Sequence, residues 1–238
     1  MELFFSNNIK NNIIILDSIE SKHCIKVLRK TIGDKINIVD GLGTLYKGIV
    51  EQYSIEECHV RVVDKIDNYD KRNCYIHIVI SPIKNHNRLE WFVEKSVEIG
   101  IDEISFIDCE RTLKHTVKTE RIFKTAISAM KQTLKASLPK INNVCSFDEF
   151  IANNKESNKF ICHLENHNRA ELFEFKNQIY KDKDTCIMIG PEGDFTLDEI
   201  KKSKSLGFKA ITLGGSRLRT ETAGIVACHL LNIININD

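Results

Sequence analysis

Two strand-to-helix turns constrain this chain more than any other feature. In Ile187-Met188-Ile189-Gly190-Pro191-Glu192-Gly193-Asp194-Phe195 a short apolar run ends abruptly in glycine-containing backbone, and a helical pattern comes next. The stretch Leu213-Gly214-Gly215-Ser216-Arg217-Leu218-Arg219-Thr220-Glu221-Thr222-Ala223 has the same form. Two such turns close together in sequence predict a shared pocket at the ends of neighbouring parallel strands. Glycine at these points lets a ligand approach the main chain, because no Cβ intervenes. Either turn alone reads equally well as an ordinary strand-to-helix connection. Together, with Arg217, Arg219 and Glu221 crowded at one of them, they read as a site.

The rest of the chain supplies two rhythms. Up to about residue 70 it reads as short strands around one helix. That helix spans Ser18 to Lys30, with Ile19, His23, Val27 and Leu28 at near-helical spacing and Gly33 as its stop. Ile36–Val39 and Leu45–Val50 flank Asp40-Gly41, a hairpin signal, and His59–Val63 alternates again. The glycines Gly41, Gly43 and Gly48 have neither the spacing nor the following helix of a dinucleotide fingerprint. A polar, aperiodic stretch from Asp64 to Asn73 marks a linker, giving domains 1–70 and 74–238.

Beyond the linker, strands and helices alternate. Strands are predicted at Tyr75–Ile80, Ile101–Ile107, Phe160–Leu164, Cys186–Ile189 and Ala210–Leu213. A helix is marked by Leu89, Phe92, Val93 and Val97 and stops at Gly100. A second runs from an N-cap at Thr119 to about Ala136, with Ile122, Phe123, Ala126, Ile127, Met130 and Leu134 as its apolar face. A Thr196-x-x-Glu199 capping box opens a third, which Gly207 ends, and the last begins at Thr220. This alternation predicts an α/β domain with a mostly parallel sheet covered on both faces.

Charge and cysteine usage narrow the function. Residues 1–70 carry nine Lys and Arg against eleven Asp and Glu, whereas residues 111–140 carry eight basic residues against Glu120 alone, a net of +7. Such a concentration suits phosphate groups, although a solvated helix face accounts for it equally well. No apolar run is long enough for a membrane span, and no signal-peptide pattern opens the chain. The eight cysteines are scattered without a Cys-x-x-Cys pair. Mostly buried thiols in a reducing cytoplasm are therefore expected, with no metal site. Asp102 and Glu103 are adjacent on a strand, point to opposite faces and do not form a dyad.

The motifs at 189–195 and 213–223 resemble those of the ribosomal RNA small subunit methyltransferase E family of the SPOUT superfamily. Further stretches extend the resemblance in order along nearly the whole chain. They are His23–Arg29 with Gly33-Asp34, Lys84 with Arg88–Trp91, Glu94-Lys95 through Glu98–Gly100, Cys109–Thr112, and Lys131–Thr133. The resemblance implies an N-terminal PUA-like β-barrel that binds RNA and a C-terminal SPOUT domain whose end forms a trefoil knot. It also implies a homodimer that uses S-adenosylmethionine to methylate N3 of a uridine in 16S rRNA of the small ribosomal subunit.

Carried over by residue, the cofactor loops are His163-Leu164-Glu165, Gly190-Pro191-Glu192-Gly193, and the stretch holding Leu213, Gly214, Ser216, Leu218, Arg219, Thr220 and Ala223. Arg29, Lys84, Arg88, Arg111, Lys131 and Lys135 are the expected RNA contacts. Three positions depart from the family: Asp194 replaces a second glycine, and Thr133 and Lys135 replace serine and arginine. The last matters because lysine lacks arginine's bidentate fork.

Arg219 is assigned to hold the anionic uridine edge, with Glu221 or a water accepting the proton. An ion pair of Arg219 with Glu221 or Glu192 is the structural alternative. Glu192 has its own, pairing with backbone amides of its loop. His163 reads as loop-shaping. Two other functions stay open, a ribose 2′-O-methyltransferase of the same superfamily and an RNA-binding module without turnover.

Overall fold

The computed structural model describes residues 1–165 and 169–236. Contacts divide the chain into two compact units, residues 1–71 with 126–138 and residues 72–125 with the chain from 139 onward.

The first unit is built on a six-stranded sheet. Its strands are β1 (Leu3–Phe5), β2 (Ile9–Lys10), β3 (Ile13–Leu16), β4 (Lys35–Val39), β5 (Leu45–Tyr53) and β6 (Cys58–Ile66), in the order β1-β4-β5-β6-β3-β2. Every pairing is antiparallel except β1 with β4. Alternate residues turn inward, so Ile14, Leu16, Ile36, Ile38, Val50, Val60 and Phe4 share one core. The hairpin between β4 and β5 forms as expected, but its loop spans 40–44 rather than a two-residue turn. The Asp40 carboxylate gathers that loop, accepting from the Leu42 and Thr44 amides at 2.7 and 3.1 Å.

The helix expected over Ser18 to Lys30 is α1 (Ser18–Lys22), capped by Asp17 and prolonged by a π-helical turn over His23–Val27. Its buried face is not the one that the apolar spacing predicts. Ile19 and Val27 are exposed, while Glu20 and Cys24 are buried. Glu20 turns inward because its carboxylate pairs with Lys131 and accepts from the Phe5 amide at 3.4 Å. The extra residue in the π turn then rotates the facing of Lys26 and Val27.

The second unit is an α/β layer structure. Its strands are β7 (Tyr75–Ile80), β8 (Glu103–Asp108), β9 (Lys140–Ser146), β10 (Asn158–Cys162), β11 (Ala170–Glu171), β12 (Asp184–Ile189) and β13 (Lys209–Thr212). Their order is β11-β13-β10-β12-β7-β8-β9, and every neighbouring pair is parallel. Helices α2 (His86–Ile99) and α7 (Thr220–Ile234) pack together, with α7 lying on β7 and β12. On the other face, α4 (Phe147–Asn153) and α6 (Leu197–Ser205) bury Phe147, Ile151 and Ile200 against Val79, Ile107, Ile161 and Met188. Helix α5 (Lys176–Asp182) precedes β12. From β7 the chain builds outward through β8 and β9, and β12, β10 and β13 occupy the other side. The order therefore reverses beside β7 and β12, where a crevice opens at the carboxyl ends.

Helix α3 (Thr119–Gln132) starts at Thr119 itself, and the Lys118 carbonyl receives the Ile122 amide at 3.1 Å. It stops at Gln132 rather than near Ala136, because Leu134 adopts a left-handed conformation (φ 58°) and the Lys135 amide returns to the Met130 carbonyl at 3.0 Å. Phe123, expected on its apolar face, is 43% exposed. Strands β10 and β13 end at Cys162 and Thr212, leaving Leu164 and Leu213 in loops. Among the described residues no helix is long and apolar enough to cross a membrane. No disulfide forms among the described residues, and five of the eight cysteines are buried.

Candidate active site

Strands β13, β10 and β12 are consecutive in the sheet and parallel, so their carboxyl ends emerge side by side. The loops beyond them enclose a cavity of about 720 Å³. From the first come Cys162, His163 and Leu164, with Arg169 beyond it. The second supplies Ile189, Gly190, Pro191, Glu192 and Asp194. The third supplies Thr212 through Leu218, continuing into Arg219, Thr220, Glu221 and Ala223, and Arg88 of α2 completes the wall.

Specific bonds hold the loops together. The buried Thr220 hydroxyl, in the first turn of α7, donates to the Gly190 carbonyl at 3.1 Å and ties the two glycine turns to each other. Asp194 bridges to the first loop, its carboxylate accepting from the Leu164 amide and from the Phe195 amide, each at 2.8 Å. The residue sits in the left-handed region at φ 62°, a conformation that favours glycine and that Asp tolerates. Arg169 donates to the His163 carbonyl at 2.6 Å. Gly214 has φ 123°, and nothing lies within 4 Å of where its Cβ would stand, so the backbone there faces open space.

The polar groups differ in their engagement. His163 is buried, and neither ring nitrogen has a hydrogen-bond partner among the described residues. Burial lowers its basicity and keeps the ring neutral. Burial, reinforced by the Asp194 charge, pushes the Cys162 thiol up to about 12, which makes it no nucleophile. Glu221 is buried and pairs with Arg88 at 3.6 Å. Glu192 accepts from the Lys84 amide at 3.2 Å, outside its own loop. Arg219 therefore pairs with neither acid; it is exposed and free of ion pairs among the described residues.

Twelve of the fourteen predicted cofactor residues, with Glu221, line this cavity. Glu165 and Gly193 do not. Glu165 is exposed, and the Gly193 carbonyl turns to Arg111, whose guanidinium donates to it at 2.9 Å. Sequence reasoning missed Cys162, Arg169 and Thr212 as lining residues, and expected Arg88 only as an RNA contact. Arg169 lies in a polar stretch with no periodic signal, and only the fold brings it back to the first loop.

The expected RNA contacts differ in what their side chains engage. Arg88 belongs to the cavity, and Arg111 braces the second loop. Lys84 meets that loop through its backbone amide. Arg29 is exposed in a left-handed conformation (φ 54°). Lys131 pairs with buried Glu20, and Lys135 pairs with Asp70 at 3.6 Å. Arg121 and Lys140 bind Glu90 and Glu103 at 2.6 and 2.9 Å. Of the eight basic residues in 111–140, only Lys114, Lys118 and Lys124 have uncommitted side chains among the described residues. The formal charge of the segment thus overstates its free charge.

Comparison with known proteins bears on these features. Residues 70–232 match the model of an RNA methyltransferase domain, and residues 16–63 that of an RNA methyltransferase PUA domain. A crystal structure of a probable rRNA-methyltransferase from Porphyromonas gingivalis superposes with a TM-score of 0.88 at 34% identity, covering 99% of this chain and 98% of its own. The ribosomal RNA small subunit methyltransferase E of Mesomycoplasma hyopneumoniae (strain 232) is 28% identical over 94% of this chain and 96% of its own length. The enzyme of that name from Neisseria gonorrhoeae, solved bound to S-adenosyl methionine, has the same fold, with a TM-score of 0.85 at 24% identity over 98% of this chain and 97% of its own. Family models accounting for both the strand-end loops and the N-terminal sheet, together with full-length relatives, place the chain: it belongs to the RNA methyltransferase family, alongside the ribosomal RNA small subunit methyltransferase E proteins.

Proposed function

We propose that this chain methylates N3 of a uridine in 16S rRNA of the small ribosomal subunit, with S-adenosylmethionine as methyl donor. The observation that carries the reading is the closure of three strand-end loops on one cavity through the Thr220–Gly190 and Leu164–Asp194 bonds. Three features of the cavity fit the cofactor. Its volume of about 720 Å³ is that of a cofactor pocket. The buried His163 ring offers two nitrogens without a hydrogen-bond partner among the described residues, and the Gly214-Gly215 backbone leaves open space for close approach. His163, the 190–192 backbone and the 213–220 loop would hold it, with the apolar wall of Leu213 and Leu218 against the adenine. When bound, S-adenosylmethionine supplies an electrophilic methyl group.

The protein's own task is to align a nucleophile and exclude water. Uridine N3 carries a proton and becomes nucleophilic only when that proton leaves. Arg219 has its guanidinium free at the cavity and can hold the resulting anionic edge. Glu221, kept in place by Arg88, or a water accepts the proton. The reading extends to the knotted path through these loops, supported by α7 returning from β13 to pack on β7 and β12. It also includes the homodimer, with the exposed 214–217 rim as the edge a second copy would close, the RNA-binding role of the N-terminal unit, and a cytoplasmic site of action.

The test is methylation of small ribosomal subunits and of naked rRNA, with the modified nucleotide identified by mass. Arg219→Ala is expected to abolish transfer while calorimetry still detects cofactor binding; unchanged turnover removes the role assigned to Arg219. A 2′-O-methylated product would transfer the chain to the ribose-modifying reading. Absence of any heat with S-adenosylmethionine would favour a binding module.

A further inference from the structure

Towards the amino ends of the same parallel strands lies a second concentration of chemistry. Register partners across the sheet place Lys140, Glu103, His77, Cys186 and Lys159 in one cross-strand row on one face. The next row on that face includes Val79, Met188 and Ile161, so the polar row is local. His77 and Cys186 are buried. The connection between α4 and β10 brings Glu156 over them, and its carboxylate oxygen lies 2.5 Å from His77 Nδ1. One nitrogen, one oxygen and one sulfur, from residues far apart in sequence, thus lie within 4.8 Å of one another. A cavity of about 530 Å³ is lined by His77 and Glu156, with Cys186 buried beside them.

We propose that His77, Glu156 and Cys186 form a binding site for a divalent transition cation of the Zn²⁺ class, separate from methyl transfer. Four observations agree with this. The donor set, imidazole, carboxylate and thiolate, is one that Zn²⁺ takes, with three protein ligands and an open fourth position. The charges also match: Glu156 and a Cys186 thiolate balance a dication, while the nearby Glu103 carboxylate is already neutralised by Lys140 at 2.9 Å. The imidazole is oriented for it, because His77 Nε2 sits 2.8 Å from Ser105 Oγ and can carry the ring proton, leaving the Nδ1 lone pair for the metal. Finally, Asn154 lines the same cavity, and its buried amide oxygen and nitrogen both lack a hydrogen-bond partner among the described residues, which leaves an uncommitted oxygen donor in that cavity.

Binding exchanges protons for metal. Cys186 releases its thiol proton to solvent, the His77 ring proton moves from Nδ1 to Nε2, and bonds form from Nδ1, the Glu156 oxygen and the sulfur to the cation. Tetrahedral bonds of about 2.0–2.1 Å require the His77–Glu156 separation to open to roughly 3.3 Å.

The test is titration of metal-free full-length protein with Co²⁺, followed by displacement with Zn²⁺. One equivalent of Co²⁺ should bind with a thiolate charge-transfer band, and Zn²⁺ should bleach it and raise the melting temperature. Cys186→Ala should abolish the band. Glu156→Gln, which keeps a hydrogen bond to His77, should weaken binding by roughly tenfold or more, while the metal-free variant melts as the wild type does. Failure of the wild type to bind stoichiometrically overturns the proposal, as does a full band in Cys186→Ala. If Cys186→Ala does not fold, Glu156→Gln decides, and unchanged affinity there overturns it equally.

Discussion

Gly224 offers a test of how tightly the helix bearing Thr220 and Glu221 is held. A Cβ at this position of α7 would stand 2.6 and 2.8 Å from Phe92 Cε2 and Cδ2, and 3.3 Å from Ile80 Cδ1. Phe92 is fully buried, so relief to an ordinary 3.4 Å requires the ring or the helix to retreat by about 0.8 Å. Two effects compete in Gly224→Ala. Helix propensity favours alanine by up to about 1 kcal/mol, while overpacking a closed core costs about 1–3 kcal/mol. The steric term should win, for a net loss of about 1–2 kcal/mol and a fall of roughly 2–8 °C in Tm.

The site should register the same displacement. Thr220 lies one turn away, its bond to the Gly190 carbonyl is already 3.1 Å, and lifting α7 by this amount would break it. Urea unfolding and calorimetric titration with S-adenosylmethionine measure the two effects. Adding Phe92→Leu should restore part of the stability, a coupling visible in a double-mutant cycle. An alanine variant as stable as the wild type, with undiminished cofactor affinity, would refute the packing argument.

The Asp194 bridge between loops predicts that Asp194→Ala loses about 1–2 kcal/mol of stability and weakens S-adenosylmethionine binding, since both amide contacts disappear while the left-handed backbone is retained; Asp194→Asn, with one acceptor oxygen, should fall between, and equal affinities for all three proteins would remove the bridging role. Burial of His163 predicts a pH effect of definite sign. Its folded pKa lies below the usual 6.5, so the unfolded chain takes up the proton first as pH falls. The stability contributed by the neutral ring is complete above about pH 6.5 and is lost progressively below it. Melting temperatures between pH 5 and 7.5 should therefore drop more steeply for the wild type than for His163→Gln, and parallel profiles would count against a buried neutral ring.

Local patterns carried much of this protein. The apolar pattern specified β4, β5 and β6 of the first unit and most strands of the second, and the Thr196 capping box and the stops at Gly100 and Gly207 appear in the structure as read, because they depend only on neighbours in sequence. The short polar elements were not legible. β9 carries Asn142 and Asn143, and α4 and α5 span seven residues each, so their stability comes from packing rather than pattern. The two glycine turns could be recognised as a site from their residues, and the resemblance named its chemistry. Only tertiary structure decided which partners the charges chose, because ion pairing depends on distance in space. Arg88 went to Glu221, Glu192 to the Lys84 amide, and Lys131 to a buried Glu20, leaving Arg219 free at the cavity. For the same reason His77, Glu156 and Cys186, with no spacing to betray them, meet only once parallel strands are set in register.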